Sequence, residues 1–319
     1  MRQILIFWSL RLSCHASEWG YFGENDPTHW SESDAECGGL KQSPIDIVTQ
    51  DIVYAKLSDV VFHNFSGSTQ EPVKVSNNGH TLQIQFLSPA SYITASHYQE
   101  LYYLKQVHFH WGSSDLMGSE HTINGQRFSM EMHAVHIQPE RGTIVVISKI
   151  FKAVQARHGT LDDLLRNVID LAIAYVPYKD SYDTTLDLSS HNIETFLGIG
   201  PENLMRNYCS YQGSLTTPPC SEIVTWLLDF EIGSISENKL NELRSLHIES
   251  ADNLLVNNFR DTQPLNGRKT DKCSGISSIR RSSLTAPSWL LQSDCSILVQ
   301  FFSSLLSSSL WTQINYYNL

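Results

Sequence analysis

Three histidines stand in two short stretches, His108-Phe109-His110 and Glu131-Met132-His133. Side chains of a β-strand alternate faces, so residues i and i+2 point the same way. His108 and His110 therefore project together from one strand, and His133 joins them from a neighbouring one. Three neutral imidazoles leave the fourth position of a tetrahedral ion open, which is the ligand count of a catalytic zinc site and not of a closed structural one. A ligand imidazole also needs an acceptor for its other nitrogen. Gln106 lies two residues before His108 and Glu131 two before His133, each on the ligand's own face. Taken one at a time, all five have a plainer reading as hydrogen-bonded polar residues of a strand.

The elements that must position these residues are strands. Short apolar or alternating runs recur at Ile45 to Val48, Thr81 to Phe86, Leu101 to His110, Phe128 to His136, Thr143 to Ile147 and Ile223 to Leu228. Turn signals such as Asn77-Asn78-Gly79 and Asn124-Gly125 separate them. Helical spacing is rare. Thr160 to Ala174 carries Leu161, Leu164, Leu165, Val168 and Leu171 behind a Thr160 cap, and Glu237 to Leu246 is a second candidate. The expected fold is mainly β (α+β): one domain built on a large sheet with short peripheral helices.

Of the 319 residues, 41% are hydrophobic and 17% charged, enough for a sizeable core. A net charge of −11 excludes a nucleic-acid binder, which needs clustered Lys and Arg. At the N-terminus, Arg2, the apolar run Ile4 to Leu10 and the small residues of Cys14-His15-Ala16 read as an export signal over 1–16, with an N-terminal apolar strand as the alternative. Removing it leaves Cys37, Cys209, Cys220, Cys273 and Cys295, with no C-x-x-C pair to suggest a zinc knuckle. Asn64-Phe65-Ser66 is a glycosylation sequon. Residues 17–268 read as one domain, followed by a Ser-rich tail over 269–319. That tail is either loosely packed chain or a removable lipid-anchor signal. Its apolar stretch, Ser296 to Trp311, is shorter than the ~20 residues a membrane helix needs.

Eight strings in collinear order resemble the α-class carbonic anhydrases. They are Trp19-Gly20-Tyr21, Gln42-Ser43-Pro44-Ile45-Asp46-Ile47, Asn77-Asn78-Gly79-His80, Gln106 to Gly112, Gly118-Ser119-Glu120-His121-Thr122, Glu131 to His136, Gly213-Ser214-Leu215-Thr216-Thr217-Pro218-Pro219 and Phe259 to Leu265. The resemblance spans roughly Glu18 to Arg268. It implies a large, twisted, mostly antiparallel sheet, cis peptide bonds at Ser43-Pro44 and Pro218-Pro219, and Zn²⁺ on His108, His110 and His133. The activity it implies is reversible hydration of carbon dioxide to bicarbonate and a proton by a zinc-bound hydroxide.

Residue by residue, the resemblance gives the Asn258 carbonyl as acceptor for the remaining ligand. Thr216 donates to a buried carboxylate, Glu120, and so orients the hydroxide, while Thr217 contacts bicarbonate. His80 is the proton shuttle, with Tyr21 and Asn78 ordering water beside it. Val135, Leu215 and Trp226 wall the apolar substrate pocket, joined by Val145 or Ile147. His121 and His136 are structural, and Cys37 and Cys220 fall where secreted and membrane-bound members bridge. Cys209, Cys273 and Cys295 receive no partner. The implied location is secreted, or at the cell surface on a lipid anchor. Two departures stand out: the connection from His136 to Thr143 is shorter than in the proteins resembled, and Ser148 and Lys149 stand where Gly or apolar residues are expected.

Overall fold

The computed structural model describes residues 19–52, 57–64, 70–88, 90–95, 98–155, 159, 161–162, 180–187, 204–248, 253–268 and 272–273. All the described residues fall within one compact unit, Met1–Gly275. The strands are β1 (Asp46–Ile47), β2 (Val60–His63), β3 (Gln70–Asn77), β4 (Leu82–Phe86), β5 (Tyr92–Ala95), β6 (Tyr98–Trp111), β7 (Thr122–Ile123), β8 (Met130–Gln138), β9 (Thr143–Val154), β10 (Asp180–Asp187), β11 (Leu204–Met205), β12 (Tyr208–Gly213), β13 (Val224–Ser236) and β14 (Lys272–Cys273). Among the described residues two short α-helices accompany them, α1 (Trp30–Ser33) and α2 (Glu237–Arg244). The Ser236 hydroxyl caps α2 by accepting from Lys239 N. The expected helix from Thr160 to Ala174 lies almost wholly outside the described residues.

One 12-stranded sheet carries the molecule, in the order β10-β3-β4-β6-β8-β9-β13-β12-β14, with β5, β2 and β11 continuing from β6. Pairing in it is antiparallel except between β13 and β9. Its two faces follow from alternation. Val107, Phe109 and Trp111 of β6, Met130, Met132 and Ala134 of β8, Val145 and Ile147 of β9, and Leu227 of β13 are buried in the main apolar core. The residues between them on β6 and β8 are His108, His110, Glu131, His133 and Val135, so the core face dictates that these turn to the other side.

The short connection after His136 closes as a tight hairpin. Gly142 N donates to Gln138 O at 2.9 Å, and Gly142 sits at φ 68°, the left-handed region that glycine enters without steric cost. That hairpin sets the β8–β9 register: Val135 faces Val146, His133 faces Ser148 and Met132 faces Lys149. The residue of β9 that joins Val135 is therefore Val146. Val145 and Ile147, the two candidates from the sequence, point into the core instead.

Lys149, on the core side, is buried in an ion pair with Asp229, Nζ to Oδ2 2.7 Å. Burial pushes the Asp229 carboxyl up and the Lys149 ammonium pulls it back, with a net rise. Two disulfides link the described residues, Cys37–Cys220 and Cys209–Cys273. The second was not foreseen. It joins residues directly opposite one another on β12 and β14, a partnership visible only once those strands pair.

Candidate metal centre

β6 and β8 are antiparallel neighbours with His108 directly opposite His133, so three imidazoles meet over one patch of sheet. Each outer nitrogen has an acceptor. His108 Nδ1 lies 2.9 Å from Gln106 Oε1, His110 Nδ1 2.7 Å from the Asn258 carbonyl and His133 Nε2 2.8 Å from Glu131 Oε1. Carbonyl and carboxylate oxygens only accept, so these nitrogens carry the protons and the inner three present lone pairs. The inner atoms are close: His110 Nε2 to His133 Nδ1 is 3.1 Å, and His133 Nδ1 to His108 Nε2 is 3.2 Å. Ligands at roughly 2.0–2.1 Å from a tetrahedral zinc stand about 3.3 Å apart. Lone pairs facing one another at this distance repel unless a cation lies between them.

Glu120 supplies a second sign that this pocket suits a cation. The carboxyl is fully buried, and Oε1 accepts from Arg260 N at 2.9 Å. Oε2 has no close hydrogen bond and lies 3.5 Å from His110 Nε2 and 3.8 Å from His133 Nδ1. Burial pushes this group up to about 7, while His133, the Arg260 amide and the Thr216 hydroxyl pull it back. The three imidazoles shift the other way, mainly because burial disfavours their charged form; His110 falls to about 4. Neutral imidazoles and a buried carboxylate with one unpartnered oxygen fit a divalent cation among them.

Glu131 ties this site to its support. Burial would raise its carboxyl, but His121 and His133 hold it well below the usual carboxylate range. Oε1 faces His121 Nδ1 at 2.6 Å as well as His133, and Oε2 accepts the amides of Glu120 and His121. His121, Glu131 and His133 lie close enough to suggest another metal cluster, yet they are already bonded to one another. His136 Nδ1 bonds the Ala134 carbonyl at 3.0 Å, and burial pushes His136 down to about 4. Neither His121 nor His136 faces the converging nitrogens.

The loop after β12 brings Thr216, buried, beside Glu120. The peptides at Pro218-Pro219 in this loop and at Ser43-Pro44 are both cis, and the Cys37–Cys220 disulfide ties the loop to the N-terminal segment. Gly213, at the entry, packs so tightly on Ser43 and Tyr211 that a Cβ would collide with both. Thr217 accepts from Cys220 N through its carbonyl. The apolar wall runs across strands, Val135 facing Val146 and Val146 facing Trp226. The Trp226 ring lies 4.7 Å from the His133 ring and donates to the Ser214 carbonyl one residue before Leu215.

His80 is half-buried and stacks on Trp19, with ring centroids 3.7 Å apart. Asn78 Oδ1 accepts from the His80 and Thr81 amides and so shapes the turn that carries it. Tyr21 packs on Trp19 and Trp30, and burial with the Glu120 charge pushes its phenol well above the usual range. Asn64 is exposed at φ 61°, and its amide donates to the Ala90 carbonyl.

Sequence reasoning missed Arg260, though it lies inside a string quoted above. Its guanidinium is buried and donates to Gln42 Oε1, the Ser43 carbonyl and the Cys37 carbonyl, while its amide holds Glu120. Nothing in the sequence marks it out, because the contact to Glu120 is made by the Arg260 main chain. Ser148 was noticed only as a departure; its hydroxyl donates to Glu131 Oε1 at 2.6 Å.

Comparison with known proteins gives a consistent answer. The family described as eukaryotic-type carbonic anhydrase matches residues 25–273. Carbonic anhydrase 3 of Homo sapiens is 34% identical over 268 residues, covering 79% of this chain and 97% of that protein. Carbonic anhydrase 7 of Homo sapiens is 32% identical, covering 78% and 95%. Carbonic anhydrase 6 of Bos taurus is 32% identical over 271 residues, covering 79% of each.

Proposed function

Because the chain belongs to the eukaryotic-type carbonic anhydrase family, we propose that it catalyses the reversible hydration of carbon dioxide at a zinc ion held by His108, His110 and His133. The observation that carries this reading is the convergence of three proton-poor nitrogens beside an unpartnered buried carboxylate oxygen. Bound zinc would supply a nucleophile at neutral pH by bringing the pKa of its water to about 7, a value established for carbonic anhydrases and not one worked out from this geometry.

The protein's own residues do the rest. Gln106, the Asn258 carbonyl and Glu131 fix which imidazole nitrogen bears the proton. A cation at the site would stabilise ionised Glu120, which then has no proton to give. Thr216 must donate to it, leaving the Thr216 oxygen free only to accept from a proton-bearing group at the open position. That one-way hydrogen bond aims the attacking lone pair, a positioning effect. Val135, Val146, Leu215 and Trp226 offer carbon dioxide an apolar surface, and Thr217 takes the bicarbonate. His80 carries protons out through bridging water, as an imidazole suits between pH 5 and 8. Its ring stacks on Trp19 beside that route.

Export fits the two disulfides, which persist in oxidising compartments. Asn64 is the glycosylation site proposed for such a route. The tail, whether cleaved for a lipid anchor or retained, lies outside the described residues. Among the described residues no helix is long and apolar enough to cross a membrane.

Stopped-flow hydration of carbon dioxide by wild type and Thr216→Val tests the reading. The expected result is an active wild type and a variant slowed about a hundredfold, the order of effect when an orienting hydrogen bond is lost. A zinc-loaded wild type no faster than buffer would point to a binding module instead.

A further inference from the structure

Ser148 stands where the resemblance leads one to expect Gly or an apolar side chain, and it is 1% exposed. The β8–β9 register puts it directly opposite His133 and on the same face. A buried hydroxyl costs stability unless it finds a partner. The partner here is Glu131 Oε1 at 2.6 Å, the same oxygen that meets His133 Nε2 at 2.8 Å and His121 Nδ1 at 2.6 Å. Glu131 Oε2 takes the amides of Glu120 and His121, each at 2.8 Å. A carboxylate offers about four lone-pair sites, and five donors converge on this one, three of them on Oε1. It therefore only accepts, and the Ser148 proton points at it.

We propose that Ser148 is a positioning residue of the metal site, pinning Glu131 Oε1 against His133 Nε2 and so holding His133 Nδ1 at its metal-directed angle. Without the hydroxyl, Oε1 is left to two imidazoles on different sides, His121 and His133, and the closer contact is to His121. The carboxylate then turns toward His121, and the ring opposite Ser148 loses its fixed orientation. The role is indirect, since the Ser148 hydroxyl bonds Glu131 and not a ligand imidazole. A glycine or apolar residue at this position has no such donor.

This inference rests on the zinc reading above, and the test separates the two. Zinc is titrated against a competing chelator in wild type, Ser148→Ala, Ser148→Gly and Ser148→Thr, and its release rate is measured. Folding is followed on the metal-free proteins by circular dichroism. Cobalt(II) is also loaded and its visible absorption recorded, since those bands report ligand geometry. Loss of an outer partner of a metal ligand typically weakens metal binding 10–100-fold. With four other donors left on Glu131, the alanine and glycine variants should bind zinc about tenfold more weakly, release it faster and show shifted cobalt bands. The threonine variant, which keeps the hydroxyl, should return toward wild type. Alanine and glycine variants that hold zinc as tightly as wild type, with unshifted bands, would overturn the proposal. So would a loss of metal-free stability with zinc binding intact, which is what packing alone would give. A folded wild type that takes no zinc would instead overturn the reading of the site itself.

Discussion

The buried pair Lys149–Asp229 invites a direct test. Nζ and Oδ2 are 2.7 Å apart with both side chains nearly sealed from solvent. At an effective dielectric constant of 20, two unit charges at that separation attract by about 6 kcal/mol. Burying the two ions costs several kcal/mol each, so the net contribution of the intact pair is close to zero. Breaking it is another matter. Lys149→Met leaves a carboxylate in the core with only the Glu231 amide to solvate it, and Asp229→Leu leaves a bare ammonium. Each single change should cost about 3–5 kcal/mol, while the double variant should lie between neutral and a few kcal/mol more stable than wild type. Urea unfolding of the four proteins closes the cycle. Zinc content should not change, because both residues face away from His133. Single variants within about 1 kcal/mol of wild type, or a double variant equal to the sum of the singles, would refute this account of the pair.

Two further outcomes are expected. Replacing Cys37 and Cys220 by serine opens a loop of 183 residues; the chain-entropy model puts the loss at about 5 kcal/mol, read as a lower unfolding midpoint, and an unchanged midpoint would contradict it. Acid should also weaken the metal-free protein. His136 is held at about 4 by burial against 6.5 in an open chain, so from pH 6.5 down to about 4 the unfolded state binds more protons and stability falls, by up to about 3 kcal/mol from this residue. Unfolding free energies measured across that range should decline less steeply for His136→Asn, and parallel curves would assign the acid loss elsewhere.

The metal-directed histidines were legible in the sequence because strand alternation alone puts His108 beside His110, and the apolar residues between them declare which face is the core. Helix α2 was legible through its spacing. Val146 was not. Choosing among Val145, Val146 and Ile147 requires the register across the β8–β9 hairpin, and a slip of one residue exchanges the faces. The roles of Ser148 and Lys149 were hidden for the same reason, since each depends on what stands opposite on β8 and β13. Cys209 and Cys273 share no local pattern, and only the pairing of β12 with β14 brings them together. Arg260 reaches Glu120 through its main-chain amide, an interaction that side-chain identity does not announce.

Metal content measured together with carbon dioxide hydration, before chelation, after it and after zinc is restored, puts the central claim most directly at risk. The expected result is one zinc per chain, hydration abolished by the chelator and recovered with the metal. A folded protein that carries no zinc, or that hydrates carbon dioxide equally well without it, would contradict the assignment of His108, His110 and His133.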